Sequence, residues 1–400
     1  MVGEWLKATL GEVVSLQRGH DLPEDQRTIG DVPVIGSFGL TGYHSEAKAR
    51  GPGVTLGRSG ASFGATSYVA GDYWPLNTCM YVTDFKGNNP KFCYFLFKTI
   101  SFAGYNSGSA QPSLNRNFIY PIELRIPPRG EQDQIANLLS SLDDKIELNR
   151  RMAATLEEMA RALFKSWFVD FEPVRSKAEG RTTGLPAAAA ALFPDTFGED
   201  GLPVGWRATA DDIGRSIREQ VQPSDVDPGT PYVGLEHIEK RSLALGNVGR
   251  AEEVDSQKAA FKRGDLLFGK LRPYFHKVAI APVDGISSTD ILVFRPQKGI
   301  PPTYLYLAFS TDSFVAKASG AQEGTRMPRA NWGFMRKLVM AKPEPRILTA
   351  FDQAVAPLTD QLLATAAQKQ SLASLRDALL PKLISGEIRI KDAKKAIAAA

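Results

Sequence analysis

The chain has 400 residues, 43% hydrophobic and 23% charged, which suits an ordinary globular protein with room for two or three cores. Forty-eight Lys and Arg against 44 Asp and Glu leave a net charge of +4, which by itself neither argues for nor excludes nucleic-acid binding. No apolar stretch approaches the roughly 18 residues that span a bilayer. The opening MVGEWLKATLGEVV lacks the regions of a signal peptide, and Cys79 and Cys93 are too far apart for a CxxC motif, so the expectation is a reduced, cytoplasmic chain.

Residues 1–130 alternate short apolar runs with Gly, Pro and Asn, as in VPVIGSF (32–38), GVTLGRSG (53–60) and NTCMYVTDF (77–85). Such runs predict a mixed-sheet domain with few helices, one of them over Lys91 to Phe102. From Gln132 the period changes. Ile135, Leu138, Leu142, Asn149, Met152, Leu156, Met159 and Leu163 fall at three- and four-residue steps, with Lys145 the exception. This spacing predicts a coiled-coil seam in a helix from Glu131 to about Val169, roughly 60 Å long. Asn149 is then either a polar residue that fixes register or an exposed edge position. A helix of that length is better explained as a spacer than as part of one small core.

Residues 173–203 are rich in Pro, Gly and Ala and read as a linker carrying at most one short Ala helix. Then the plan restarts. Trp206 with RATADDIG resembles Trp5 with LKATLGEV, TPYVGLE (230–236) echoes VPVIGSF, and GDLLFGK (264–270) echoes GVTLGRS. A shift of 216 residues pairs Gly108 with Gly324, Asn115 with Asn331, Phe118 with Phe334, Pro127 with Pro343 and Leu142 with Leu358. One shift running through a loop, a strand and a helix marks an internal duplication. The expected divisions are a first globular domain (1–130), a long helix (131–172), the linker (173–203), a second globular domain (204–345), a second long helix (346–386) and a tail (387–400). The expected class is α/β (α+β), with two mixed-sheet domains and two long helices forming an antiparallel coiled coil.

Catalytic signals are weak. Gly264 to Lys270 matches most of a phosphate-binding loop, but position 271 is Leu where the magnesium-binding hydroxyl belongs, and DLLF is apolar strand material. No [N/D/S]-P-P-[Y/F] methyltransferase loop occurs, and Glu46-Ala47-Lys48 lacks the upstream acids of a nuclease. His20, His44, His237 and His276 lack metal-ligand spacing. The expectation is a chain that binds and positions, with no cofactor of its own.

Residues suited to DNA contact sit in Gly-rich polar loops. In the first half they are Arg58, Ser59, Ser62, Ser109, Gln111, Ser113, Asn115 and Arg116. In the second they are Lys270, Arg272, Tyr274, Lys277, Gln322, Thr325, Arg326 and Arg329. Arg and Lys pair with guanine, and Gln or Asn with adenine, in the major groove, while Ser and Thr more often hold phosphates. Lys258, Lys262 and Arg263 extend the second basic cluster, which faces one acid, Asp265. Tyr274 and Trp332 read more readily as packing aromatics than as base-stacking platforms. A coiled-coil adaptor that binds proteins, and a nucleotide-dependent enzyme built around Lys270, stay open at this point.

LEEMARALFKSWFVDFEPV (156–174), EQDQIANLLSSLDDKIELNRR (131–151), Leu192-Phe193-Pro194-Asp195, Leu202-Pro203-Val204-Gly205-Trp206 and LRDALLPKLISGEI (375–388) together resemble the specificity (S) subunits of type I restriction-modification systems. The second helix opens with Arg346-Ile347-Leu348, without the Glu131-Gln132 pair of the first. The resemblance implies two target recognition domains, each reading half of a split DNA site. It also implies that the helices recruit two modification (methyltransferase) subunits, which restriction (translocase/nuclease) subunits join, with no membrane involved. S-adenosylmethionine, ATP and magnesium would then belong to those other subunits.

Overall fold

The computed structural model describes residues 5–106, 113–320 and 328–398. They form two compact units, one made of residues 1–145 with 371–400 and the other of residues 146–370. Among the described residues no helix is long and apolar enough to cross a membrane.

In the first unit β1 (Ser15–Arg18), β2 (Gly53–Gly57), β3 (Thr66–Val69) and β4 (Cys79–Asp84) make an antiparallel sheet in the order β1-β4-β2-β3. All five β2 residues are buried, which explains why its sequence reads as a continuous apolar run and does not alternate. A three-stranded sheet from Val32–Gly36, Gly39–His44 and Trp74–Pro75 stands beside it. The helix Pro90–Thr99 starts where Asn89 accepts a hydrogen bond from Phe92 N at 3.0 Å and Pro90 presets the first turn. Its Phe92, Phe95 and Leu96 bury the sheet's Val54, Leu56 and Met80. Cys79 and Cys93 are free, fully buried thiols, each pushed by that burial up to about 12.

The second unit repeats this sheet. Strands β5 (Gly214–Ile217), β6 (Leu266–Gly269), β7 (Val278–Ile280) and β8 (Ile291–Pro296) are ordered β5-β8-β6-β7. The register is the same as well: Thr55 faces Tyr81 and Ser67, and the residues 212 positions on, Leu267, Val293 and Ala279, face one another likewise. A five-stranded mixed sheet completes the unit. The near match to a phosphate-binding loop is thus the buried strand β6, whose amides serve the sheet ladder.

Two long helices, Arg129–Phe168 and Pro345–Ser385, each contribute one part to each unit. Within the first unit Glu131 meets Arg389 at 3.0 Å and Asp143 meets Arg376 at 2.7 Å, so the two chain segments run antiparallel. They enclose Ile135, Leu139, Leu142, Leu379 and Leu383. Within the second unit Asn149 donates to Gln368 at 3.0 Å while Phe164, Trp167 and Phe168 surround Phe351, again antiparallel. Asn149 is buried, so of its two expected roles the seam position holds.

The phase of that seam differs from the one expected. Ile135, Leu142, Asn149, Leu156 and Leu163 do face inward, but the alternate positions are Leu139, Ile146, Ala153 and Ala160, one residue later than Leu138, Lys145, Met152 and Met159. The Lys145 exception disappears, because half-buried Ile146 takes its place. Met152 and Met159 are exposed. Alanine wins over methionine because a small side chain lets neighbouring elements approach closely.

Two further differences follow from packing. The segment 173–203, expected as a linker, opens with the helix Glu172–Ala178 and seats Phe193 between Trp167 and Trp206, with ring centroids 5.2 and 6.2 Å away. The missing Glu-Gln pair at the start of the second long helix is replaced by apolar contact. In the first helix Gln132 is buried and bonds Asn88, Asn89 and Pro127, whereas Leu348, 216 residues on, is simply buried in the core.

The phase is tested by one pair of substitutions. Met159→Lys changes stability by no more than about 0.5 kcal/mol, whereas Ala160→Lys, which buries an unpaired charge, costs roughly 3 kcal/mol. Urea denaturation of the two variants measures both; equal costs refute the phase.

Candidate nucleic-acid interface

The connection from β2 to β3 leaves the sheet at Arg58. Its N–H donates to Thr78 O at 3.0 Å, and its carbonyl accepts from Leu114 N at 2.8 Å. Ser59 bridges Ser113 in the same way. These backbone ties bring two loops, 55 residues apart in sequence, to one place. Arg58, Ser113, Asn115 and Arg116 line a cleft of about 630 Å³, joined by Gln17, Arg18 and His20 from the end of β1. Asn115 caps the short helix Arg116–Ile119 by accepting from Asn117 N, and Arg116 donates to Leu16 O at 2.9 Å. Both side chains therefore have a local structural task and present their remaining donors in a fixed direction.

Ser62 is the exception. It is buried and donates to Ser59 O at 3.2 Å, so it shapes the turn and does not line the cleft. Arg18 and His20 are the residues that the loop criterion missed. They follow a strand, outside any Gly-rich polar stretch, and the one local signal is Gly19, where a Cβ would lie 2.2 Å from Leu76 O.

The second unit builds its counterpart with the same bonds. Lys270 N–H donates to Asp290 O at 2.7 Å and its carbonyl accepts from Ala330 N at 2.8 Å, while Leu271 bridges Arg329. Lys270, Arg272, exposed Tyr274 and Arg329 are thereby gathered on one loop pair. Lys277 points elsewhere: its Nζ donates to Leu235 O at 2.5 Å. Trp332 packs against Phe294 at 4.9 Å in the core, as its packing role requires. The basic cluster read from sequence is divided, since Lys258 is buried under Ser256 and Lys262 pairs with Asp284 at 3.0 Å. Ser109, Gln111, Gln322, Thr325 and Arg326 lie outside the described residues.

A buried polar chain anchors the second loop to the long helix. Glu157 accepts from Leu243 N at 3.0 Å and from Arg161 at 2.7 Å. Arg161 donates to Ser310 O at 3.0 Å, and His276 Nε2 lies 2.9 Å from the same oxygen. A carbonyl can only accept, so the neutral imidazole carries its proton on Nε2. Burial and the nearby Arg161 hold the His276 pKa below its ordinary 6.5; the exposed Asp312, already paired with Arg241, is too well screened to reverse this. The other large cavity, about 650 Å³, adjoins this chain and is walled largely by Phe164, Phe168, Phe171, Tyr304 and Phe314, with Arg161, Lys165 and Arg241 also in its lining. Among the described residues no group of three or more His, Cys, Asp or Glu is placed to hold a metal ion.

The sequence of residues 3–158 matches the family model described as type I restriction modification DNA specificity domain. The chain is 25% identical over 327 residues to the type I restriction enzyme HindI specificity subunit of Haemophilus influenzae, covering 69% of this chain and 71% of that one. It is 24% identical over 322 residues to the MjaIX specificity subunit of Methanocaldococcus jannaschii, covering 76% and 70%. The fold matches the crystal structure of a type I restriction-modification S subunit from M. genitalium with a TM-score of 0.66, at 14% identity and 96% coverage of both chains.

A lowered histidine pKa gives stability that is complete above the unfolded value and is lost as pH falls through that value towards the folded one. The second unit therefore loses melting temperature on acidification below about pH 6.5. Thermal melts of the wild type and of His276→Asn between about pH 7.5 and pH 5.5 check this; the variant shows the shallower fall.

Proposed function

We propose that this chain is a specificity subunit of a type I restriction-modification system, as its similarity to such subunits supports, and that each of its two sheet domains reads one half of a split duplex target. Its work is DNA sequence recognition. The observation that carries the split reading is the repeated loop pair: the same backbone bonds hold Arg58 against Leu114 and Lys270 against Ala330, each time offering cations next to neutral hydrogen-bonding side chains. Cations supply sequence-independent attraction to phosphate, and the polar partners supply discrimination. In this reading the recognition domains are residues 1–130 and 204–345, and the contacts come from Arg58, Ser59, Ser113, Asn115 and Arg116 in one and Lys270, Arg272, Tyr274 and Arg329 in the other. Ser109, Gln111, Gln322, Thr325 and Arg326 belong to the same loops in sequence and complete the proposal.

The chain carries no active site or cofactor of its own in this proposal and acts in the cytoplasm, where the long helices dock two methyltransferase subunits and restriction subunits join them. Docking is supported by what the seam leaves outside. Leu148, Met152 and Met159 are exposed at helical spacing on the first long helix, an apolar stripe that its own partner helix does not use. Methionine is well suited to such a face because it adapts to the surface it meets.

Mapping methylated sites in a host that carries the complete system yields two specified half-sites around an unspecified gap. One heptad inserted into both long helices adds roughly 10 Å, or about three base pairs, to that gap without changing the specified bases. A gap that stays constant refutes the spacer. Independently, Met152→Lys combined with Met159→Lys leaves the chain folded but abolishes co-purification of the methyltransferase subunits, and retained co-purification moves the docking face elsewhere.

A further inference from the structure

The connections 57–65 and 269–277 are one template. Gly57 N–H donates to Ala65 O at 2.7 Å, and Gly269 N–H to Lys277 O at 2.8 Å. Phe63 N–H donates to Gly60 O at 3.1 Å, and Phe275 N–H to Arg272 O at 3.0 Å. Each connection turns two left-handed corners at matching places. In the first unit these are Gly60 (φ +74°) and Gly64 (φ +79°); in the second, 212 residues on, they are Arg272 (φ +49°) and His276 (φ +53°). Glycine adopts this conformation freely, whereas a side chain is strained in it, and Pro273 adds to the strain because a residue before proline favours extended backbone.

The two added side chains have different reasons to be there. His276 is buried and reaches Ser310 and Asp312, so it anchors the loop. Among the described residues the Arg272 side chain makes no comparable contact. It is half-buried, and its Nε has no hydrogen-bond partner among the described residues. The fold does not need a side chain at that corner, as Gly60 demonstrates. Nor do the described residues crowd the glycine in the first unit, since among them a Cβ at Gly60 would meet nothing within 4 Å.

We infer that Arg272 is a base-reading, specificity-determining residue for the half-site of the second sheet domain, with guanine as the base it takes. This rests on the recognition reading above. The left-handed corner and the following proline fix the direction of the Arg272 Cα–Cβ bond, and the enclosed Nε narrows the paths open to the rest of the side chain; two-pronged pairing with guanine O6 and N7 gains from donors ordered in advance. A phosphate contact places a weaker demand, because a flexible point charge such as a lysine ammonium also serves it.

The test uses the complete complex with its modification subunits, carrying Arg272→Gly or Arg272→Asn, both of which suit a left-handed corner. Mapping of methylated sites is expected to show one guanine of one half-site becoming degenerate in both variants, with the other half-site unchanged. The isolated Gly variant melts no lower than the wild type. An unchanged motif in both variants overturns the inference, as does a uniform loss of methylation with the motif intact, which marks a phosphate contact. A lowered melting temperature of Arg272→Gly overturns it too, because the side chain would then serve the fold. If the wild-type complex itself shows no split motif, the recognition reading fails first and takes this inference with it.

Discussion

The choice between two heptad phases governs the rest of this molecule. With Ala153 and Ala160 turned inward, the first long helix meets its neighbours through small side chains and leaves Leu148, Met152 and Met159 to the outside. The opposite choice would bury the methionines, expose the alanines and erase the apolar stripe. One residue of phase therefore decides which face is internal structure and which is exposed. Asn149, buried and bonded to Gln368, adds a polar condition that a slipped register would break.

The second unit also joins helix and loop by polar contacts. From Glu157 through Arg161 and Ser310 to His276, each donor meets an acceptor. A buried chain of this kind is costly to satisfy only in part, so its members hold their positions together. The first unit turns the equivalent loop with two glycines, and among the described residues no such chain reaches it. The two loops thus share a backbone path while differing in what stiffens it.

Much of this was legible in the sequence. The duplication, the sheet domains, the helix near Pro90–Thr99, the two long helices and the loop pairs around Arg58 and Lys270 all follow from periodicity, turn residues and a constant shift. The seam's phase was not, for a physical reason. Five positions, from Ile135 to Leu163, belong to both alternations, and at the deciding ones methionine outscores alanine in hydrophobicity although close approach favours alanine. Arg18 and His20 escaped because a strand end carries no loop signature, and Ser62 was included because composition cannot tell a turn-stabilising hydroxyl from an exposed one. The packing of Phe193 was hidden by the Pro- and Ala-rich stretch around it.

The state of the two thiols has a practical consequence. Cys79 and Cys93 are the only cysteines in the chain, both are sealed from solvent, and their ionisation is displaced far above neutrality. Since the thiolate is the nucleophile, neither competes for maleimide or iodoacetamide reagents while the protein is folded. A single cysteine engineered onto each sheet domain would therefore be the sole point of attachment there, so fluorophores or spin labels could report the distance between the domains without removing any native residue.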